Sequence, residues 1–206
     1  SRFAKTKRSN KYRAATAGKK EKMTDRDLTF FKEWHAAKLP TLPYEILNRM
    51  VTMTNGKKAF GVYVDGIAKF VKGGERGTEY HEIFHSVFNS FLSEEDRQAI
   101  FGEMADRVGA FKDRISGETI DYAMATEDQL EDKLADEFAD FRIGKIPAKN
   151  FGEKILNFFR NLLKNARQIV EKFIDKIKGK EKVNESVVNS LFESIEKGDF
   201  KSATPN

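Results

Sequence analysis

Cysteine is absent from the 206-residue chain, which rules out disulfides and thiolate metal sites and leaves histidine and carboxylate as the strong metal ligands on offer. A cysteine-free chain fits a reducing cytoplasm, and it also fits an extracellular or virion setting, where disulfides are permitted but not required. No run approaches the roughly 20 apolar residues that cross a bilayer, and the N-terminus lacks the apolar stretch of a secretory signal. The first residue is Ser1, as expected of a fragment or processed product. Tryptophan occurs once, proline four times and histidine three times, against eighteen phenylalanines. The core is therefore expected to lean on Phe rings. With 39% hydrophobic residues, the length suits one sizeable core with appendages.

The charge is unevenly placed. The formal net charge is +5, but residues 1–26 hold +8 and the remainder −3. Residues 1–22 read as a basic Ala/Gly/Lys-rich arm, with Phe3 and Tyr12 its large nonpolar residues, and the arm is expected to be extended or disordered alone. Such an arm either touches phosphates or an acidic partner or is a solvated leader. Nucleic-acid contact is expected only non-specifically through this arm, since the rest of the chain is acidic on balance and no base-reading motif is present. No internal repeat is found, and no low-complexity tract outside the arm.

Periodicity divides the remainder into a domain over 23–150 and a C-terminal helical extension over 151–206. Leu28, Phe31 and Trp34 predict a short helix that Pro40 and Pro43 stop, and a second short helix is expected over 44–52. His35, a lone histidine beside Trp34, is read as a packed or surface residue. From 59 to 71, β-branched and aromatic residues flank Asp65-Gly66, a two-residue turn signal, and predict a β-hairpin. After a glycine-rich loop, Thr78 is expected to cap a helix. Ser93 with the acids that follow it starts the next helix, with Ile100, Phe101, Met104, Val108 and Phe111 on its apolar face and an end near Gly109. Thr126 and Gln129 form a capping-box pattern ahead of Leu130, Leu134, Phe138 and Phe141. Residues 151–178 carry a wide apolar stripe opposite Lys and Arg, expected to pack on the domain or a partner in preference to a membrane surface. A last helix over 185–196 should end at Gly198.

One motif carries chemistry. His81-Glu82-Ile83-Phe84-His85 is an H-E-x-x-H sequence, and helical residues four apart share a face, so both imidazoles can reach one ion. Glu82 is offset by about 100° from His81, near enough to meet water at the ion without entering its coordination shell. Ile83, Phe84, Val87 and Phe88 would seat the helix in a core. An ion there would lower the pKa of water from 15.7 towards about 7, and a carboxylate would take the proton and pass it to a leaving amine.

With the hairpin before it and the segment Asp132-Lys133-Leu134-Ala135-Asp136-Glu137-Phe138-Ala139 after it, this motif resembles the gluzincin metallopeptidases, whose later helix carries E-x-x-A-D-x-F-A. The resemblance implies Zn2+ as cofactor, with His81, His85 and Asp132 as its ligands and Glu82 as the catalytic base. It also implies that Asp136 orients a ligand imidazole through its other ring nitrogen. This chain has Asp132 where the family has Glu, one methylene shorter, so Glu131, Asp136 and Glu137 stand as alternative third ligands. The plainer reading of 127–140 is the solvated acidic face of an amphipathic helix. The implied fold is α+β, mainly α: a zincin-like domain with a small hairpin or sheet packed on the active-site helix. A zincin sheet presents an edge strand to an extended peptide, and the segment 68–71 is the candidate edge.

More narrowly, G-T-E-Y-H-E-x-F-H and the later basic helix look similar to zincin domains within large multidomain bacteriophage proteins, including those of crAss-like phages. This implies a virion or polyprotein setting, other virion proteins as partners, and location in the virion or in the host cytoplasm after delivery. Two functions are expected to compete. One is an endopeptidase acting on protein or peptide substrates. The other is a structural or cargo virion protein that keeps the fold and acts through its basic arm and amphipathic helix.

Overall fold

The computed structural model describes residues 11–14, 21–145 and 187–203. The fold is α+β and mainly α, a small curled sheet lying against helices.

The hairpin forms where the turn chemistry places it. Strands β4 (Lys58–Val64) and β5 (Ile67–Val71) pair antiparallel, with Val64 opposite Ile67. Asp65 and Gly66 make the turn at φ 51° and 78°, the left-handed values a two-residue hairpin loop requires. The short strand β3 (Val51–Thr52) pairs with the start of β4.

Two flanking strands depart from expectation. Residues 44–52 do not form a helix: Tyr44–Leu47 is strand β2, parallel to β5. Pro43 disfavours helical geometry in the residue before it, and the alternation of Tyr44 and Ile46, both packed on the core, with exposed Glu45 gives a period of two. In consequence β5 is not an edge. The sheet order is β1 (Lys11–Ala14), β4, β5, β2, with β5 between β4 and β2. Strand β1 (Lys11–Ala14) comes from the basic arm and runs antiparallel to β4, with a register shift between Arg13 and Ala14. The arm rejoins the domain through Arg76 N–H to Glu21 O at 2.8 Å and Met23 N–H to Gly74 O at 2.8 Å.

Helix α1 (Asp25–Lys38) opens with a capping box between Thr24 and Asp27. Helix α2 (Thr78–Ser90) carries H-E-x-x-H. Thr78 does not cap it. The cap residue is Gly77 at φ 91°, while the Thr78 hydroxyl donates to Glu75 O at 2.7 Å. Helix α3 (Glu94–Ala105) is boxed by Ser93 and Asp96. It ends earlier than its apolar pattern suggests: Val108 is 99% exposed, and Phe111 belongs instead to β6 (Ala110–Lys112), which pairs with β7 (Thr119–Asp121). A 3-10 turn, Tyr122–Met124, leads to α4 (Glu127–Arg142), whose capping box joins Thr126 and Gln129. The last helix, α5 (Val187–Lys197), closes on Gly198 at φ 81°. The stripe of 151–178 lies outside the described residues. Among the described residues no helix is long and apolar enough to cross a membrane.

Phenylalanine builds the core. Phe31, on α1, meets Phe70 of β5, Tyr44 of β2 and Tyr80 of α2 edge-on at 5.1–5.4 Å between ring centroids. Phe84 of α2, Phe138 of α4 and Phe192 of α5 form a second trio at 5.1–5.8 Å. Burying each such ring contributes about 1.5–3 kcal/mol. The trio fixes α2 against α4, and so fixes the two histidines against the acidic helix.

Candidate metal centre

On α2, His81 and His85 point the same way because they lie four residues apart, and Asp132 faces them from α4. The three approaches are His81 Nε2 to His85 Nε2 at 3.2 Å, His81 Nε2 to Asp132 Oδ1 at 3.2 Å, and His85 Nε2 to Asp132 Oδ1 at 3.8 Å. All three residues are buried.

The partners of the other ring nitrogens fix what the converging atoms are. His81 Nδ1 lies 3.0 Å from Asp136 Oδ1, and His85 Nδ1 lies 2.7 Å from Glu131 Oε1. An ionised carboxylate only accepts, so each Nδ1 carries the proton and donates. Burial pushes the His85 pKa below its ordinary value, against the opposing pull of Glu131, so that ring is neutral and its Nε2 is a bare lone pair. With His81 in the same tautomer, two nitrogen lone pairs and a carboxylate oxygen face one another. Asp132 Oδ1 is buried with no hydrogen-bond donor. A cation among these three atoms would be held by all of them.

The triangle also has the right size. A point equidistant from its corners lies about 2.0 Å from each, against about 2.0–2.2 Å for zinc bound to imidazole nitrogen or carboxylate oxygen. The group His81, His85 and Asp132 can therefore hold a metal ion. Comparison with protein families, with curated proteins and with solved structures finds no match. The site stands on its own geometry.

The other acidic candidates take separate places. Asp136 orients His81, Glu131 orients His85, and Glu137 turns away to Arg107 at 2.8 Å. Glu82 is fully buried on the neighbouring face of α2, packed so closely on Gly61 of β4 that a Cβ there would lie 2.6 Å from Glu82 Cγ. The ring of Tyr63, two residues further along β4, lies 6.2 Å from that of His85 at an interplanar angle of 26°.

Several supporting residues were not singled out from the sequence. Asn89 Nδ2 donates to Glu131 Oε1 at 2.7 Å and to His85 O at 2.9 Å, holding the carboxylate on the imidazole. Its signal was present, since His81, His85 and Asn89 follow each other at four-residue steps. Arg114, in the β6–β7 turn, donates to Glu75 at 2.8 Å and approaches Asp136 Oδ1 at 3.6 Å. Burial alone would lower its pKa, but Asp136 and Glu75 raise it. No local pattern marks Arg114, because its partners are 22 and 39 residues away in sequence. His35 is buried against Phe31 and Tyr44, away from the metal group.

Proposed function

We propose that the chain is a zinc-dependent endopeptidase, hydrolysing peptide bonds with water activated at His81, His85 and Asp132. The observation that carries this reading is the convergence of His81, His85 and Asp132, all buried, with the buried carboxylate of Glu82 one residue from His81. Two imidazoles and one carboxylate form a donor set typical of catalytic zinc, and three protein ligands leave a fourth position for water or substrate. Bound there, zinc would supply a Lewis acid that polarises a carbonyl and acidifies water.

The remaining work falls to the chain. Asp136 and Glu131 hold the imidazoles in the tautomer that presents Nε2. Arg114 keeps a positive charge beside Asp136, favouring its ionised, accepting form. Glu82 accepts the proton of the attacking water as the new carbon–oxygen bond forms, then delivers it to the amine nitrogen as the carbon–nitrogen bond breaks. The resemblance to phage zincin domains extends the proposal to a protein substrate met in a virion or in the host cytoplasm.

The reading is tested by metal analysis and cleavage of an unfolded protein. Purified protein is expected to hold about one zinc per chain, and Glu82→Gln to keep the metal while losing cleavage on the order of a hundredfold or more. Asp136→Ala is expected to weaken zinc by about 10- to 100-fold. Cleavage unchanged by Glu82→Gln removes Glu82 from the mechanism.

A further inference from the structure

The reacting groups are covered: His81, Glu82 and His85 are 0% exposed and Asp132 6%. A peptide reaches them only if a neighbouring element gives way. Helices α2 and α4 are held by the Phe84, Phe138 and Phe192 rings, and β4 is paired along both sides. Neither wall parts without loss of core or ladder. The β6–β7 hairpin is built differently.

Its base is fixed and its tip reaches out. At the base, Phe111 of β6 is buried against Tyr122 at 4.9 Å between ring centroids, and the Tyr122 N–H donates to Gly109 O at 3.2 Å. The turn 113–118 is closed on itself. The Asp113 carboxylate accepts the Ser116 N–H at 2.8 Å, the Gly117 N–H donates to Asp113 O at 2.9 Å, and the Asp113 N–H donates to Glu118 O at 2.9 Å. These bonds travel with the tip, whose residues 116–119 are exposed, so the hairpin can swing as one piece and keep its own backbone groups bonded.

Two adjacent residues of the turn grip opposite walls of the candidate centre. Arg114 donates to Glu75, ahead of α2, at 2.8 Å and lies 3.6 Å from Asp136 of α4, the acid on His81. Ile115 packs on Met53 and Ala59, a small apolar cluster apart from the main core, and its carbonyl accepts from Lys57 Nζ at 3.2 Å. Ala59 stands on β4 two residues before Gly61, against which Glu82 lies. The turn thus spans from the helix behind His81 to the strand behind Glu82.

We propose that the β6–β7 hairpin is a lid on the candidate centre, latched by Arg114 to Glu75 and Asp136 and by Ile115 to Met53 and Ala59, and hinged at its base. The motion itself is independent of zinc; its role in admitting a peptide rests on the peptidase reading. Opening breaks one set of charge-assisted bonds and one small apolar contact, and leaves the main core whole.

The test exploits the absence of cysteine. In the full chain, Ala59→Cys places a thiol under Ile115, and Ala68→Cys places one on β5 in the main core; both positions are 0% exposed. Alkylation at position 59 is expected to run about tenfold or more faster than at 68, because the first thiol is uncovered with the lid and the second waits for a larger unfolding. Adding Arg114→Gln to each is expected to widen that ratio about tenfold, the effect of one charge-assisted hydrogen bond on the open fraction. The substitution lies at the far end of the latch from the thiol, so a purely local loss of packing does not carry the effect across. Ile115→Ser, which unfastens the near end, is expected to speed cleavage of an unfolded protein at low substrate.

A thiol at 59 that reacts no faster than one at 68, or a ratio that Arg114→Gln leaves unchanged, overturns the lid even in protein that cleaves well. A widened ratio in protein that cleaves nothing keeps the lid and removes the peptidase reading. A widened ratio with cleavage unmoved by Ile115→Ser overturns the lid's role in admitting substrate.

Discussion

A methyl group on Gly61 would overlap the Glu82 carboxylate, at 2.6 Å from Cγ and 2.7 Å from Cδ, so the bare backbone at this one position sets where the acid stands. Gly61→Ala must push Glu82 along or off β4. A misplacement of about 1 Å at a reacting group costs on the order of a hundredfold in rate. The expected outcome is cleavage reduced by that order with zinc content unchanged, because Glu82 is not one of the three ligands; metal analysis beside a cleavage assay checks both halves. The histidines show the same economy of placement. His81 and His85 differ in the acid that holds each Nδ1, Asp136 for one and Glu131 for the other, and both acids come from the helix that also supplies Asp132.

Helix α4 is the element that assembles the centre. Its capping box starts it at Thr126, and one turn later Glu131, Asp132 and Asp136 turn towards α2 while Leu130, Leu134 and Phe138 enter the core with 0% exposure. The acids of this run are buried or half-buried, unlike the solvated face that such runs usually form. Phe138 sits between Phe84 and Phe192 and also reaches Trp34 at 6.2 Å. Phe138→Ala should cost about 3–5 kcal/mol, read as a lower denaturant midpoint at unchanged slope. Arg142, at the C-terminal end of the helix, lies over the rings of Trp34 and Tyr80 at 4.8 and 4.9 Å and pairs with Glu196 of α5 at 2.7 Å. Leu191, Phe192 and Ile195 of α5 belong to the same hydrophobic cluster as α1, α2 and α4.

For the whole molecule, buried histidine sets a pH dependence. Burial lowers the pKa of His35 below its ordinary 6.5, against a hydrogen bond that the ring donates to the Leu42 backbone carbonyl, and burial lowers that of His85 likewise. As pH falls through 6.5, the unfolded chain takes up protons that these folded rings refuse, so stability declines until the lowered folded values are reached. In chelator-treated protein, wild type should therefore lose stability relative to His35→Gln between about pH 7.5 and 5.5. Denaturant titrations at the two values measure it, and a gap independent of pH would contradict it. Zinc should raise the unfolding temperature of the wild type, since an ion bound only by the folded state stabilises it by mass action.

Local physics made part of this protein legible. Four-residue spacing puts His81 and His85 on one helix face, Asp65-Gly66 makes a hairpin turn, and Ser93 and Thr126 begin helices through bonds to residues three positions on. All of these are decided within a few residues of sequence. What tertiary structure decided depends on distant partners. Residues 44–47 became a strand because β5 offers them a ladder, and this turned the expected edge at 68–71 into an interior strand. The arm gained a strand because the outer side of β4 was free to pair. Asp132 came to face two lone pairs, with Arg114 and Asn89 steadying the acids behind them, because the Phe84, Phe138 and Phe192 rings lock α4 onto α2. Helix and turn signals act through short-range backbone geometry, whereas the choice of sheet neighbour and the meeting of ligands are settled by which surfaces the core brings together.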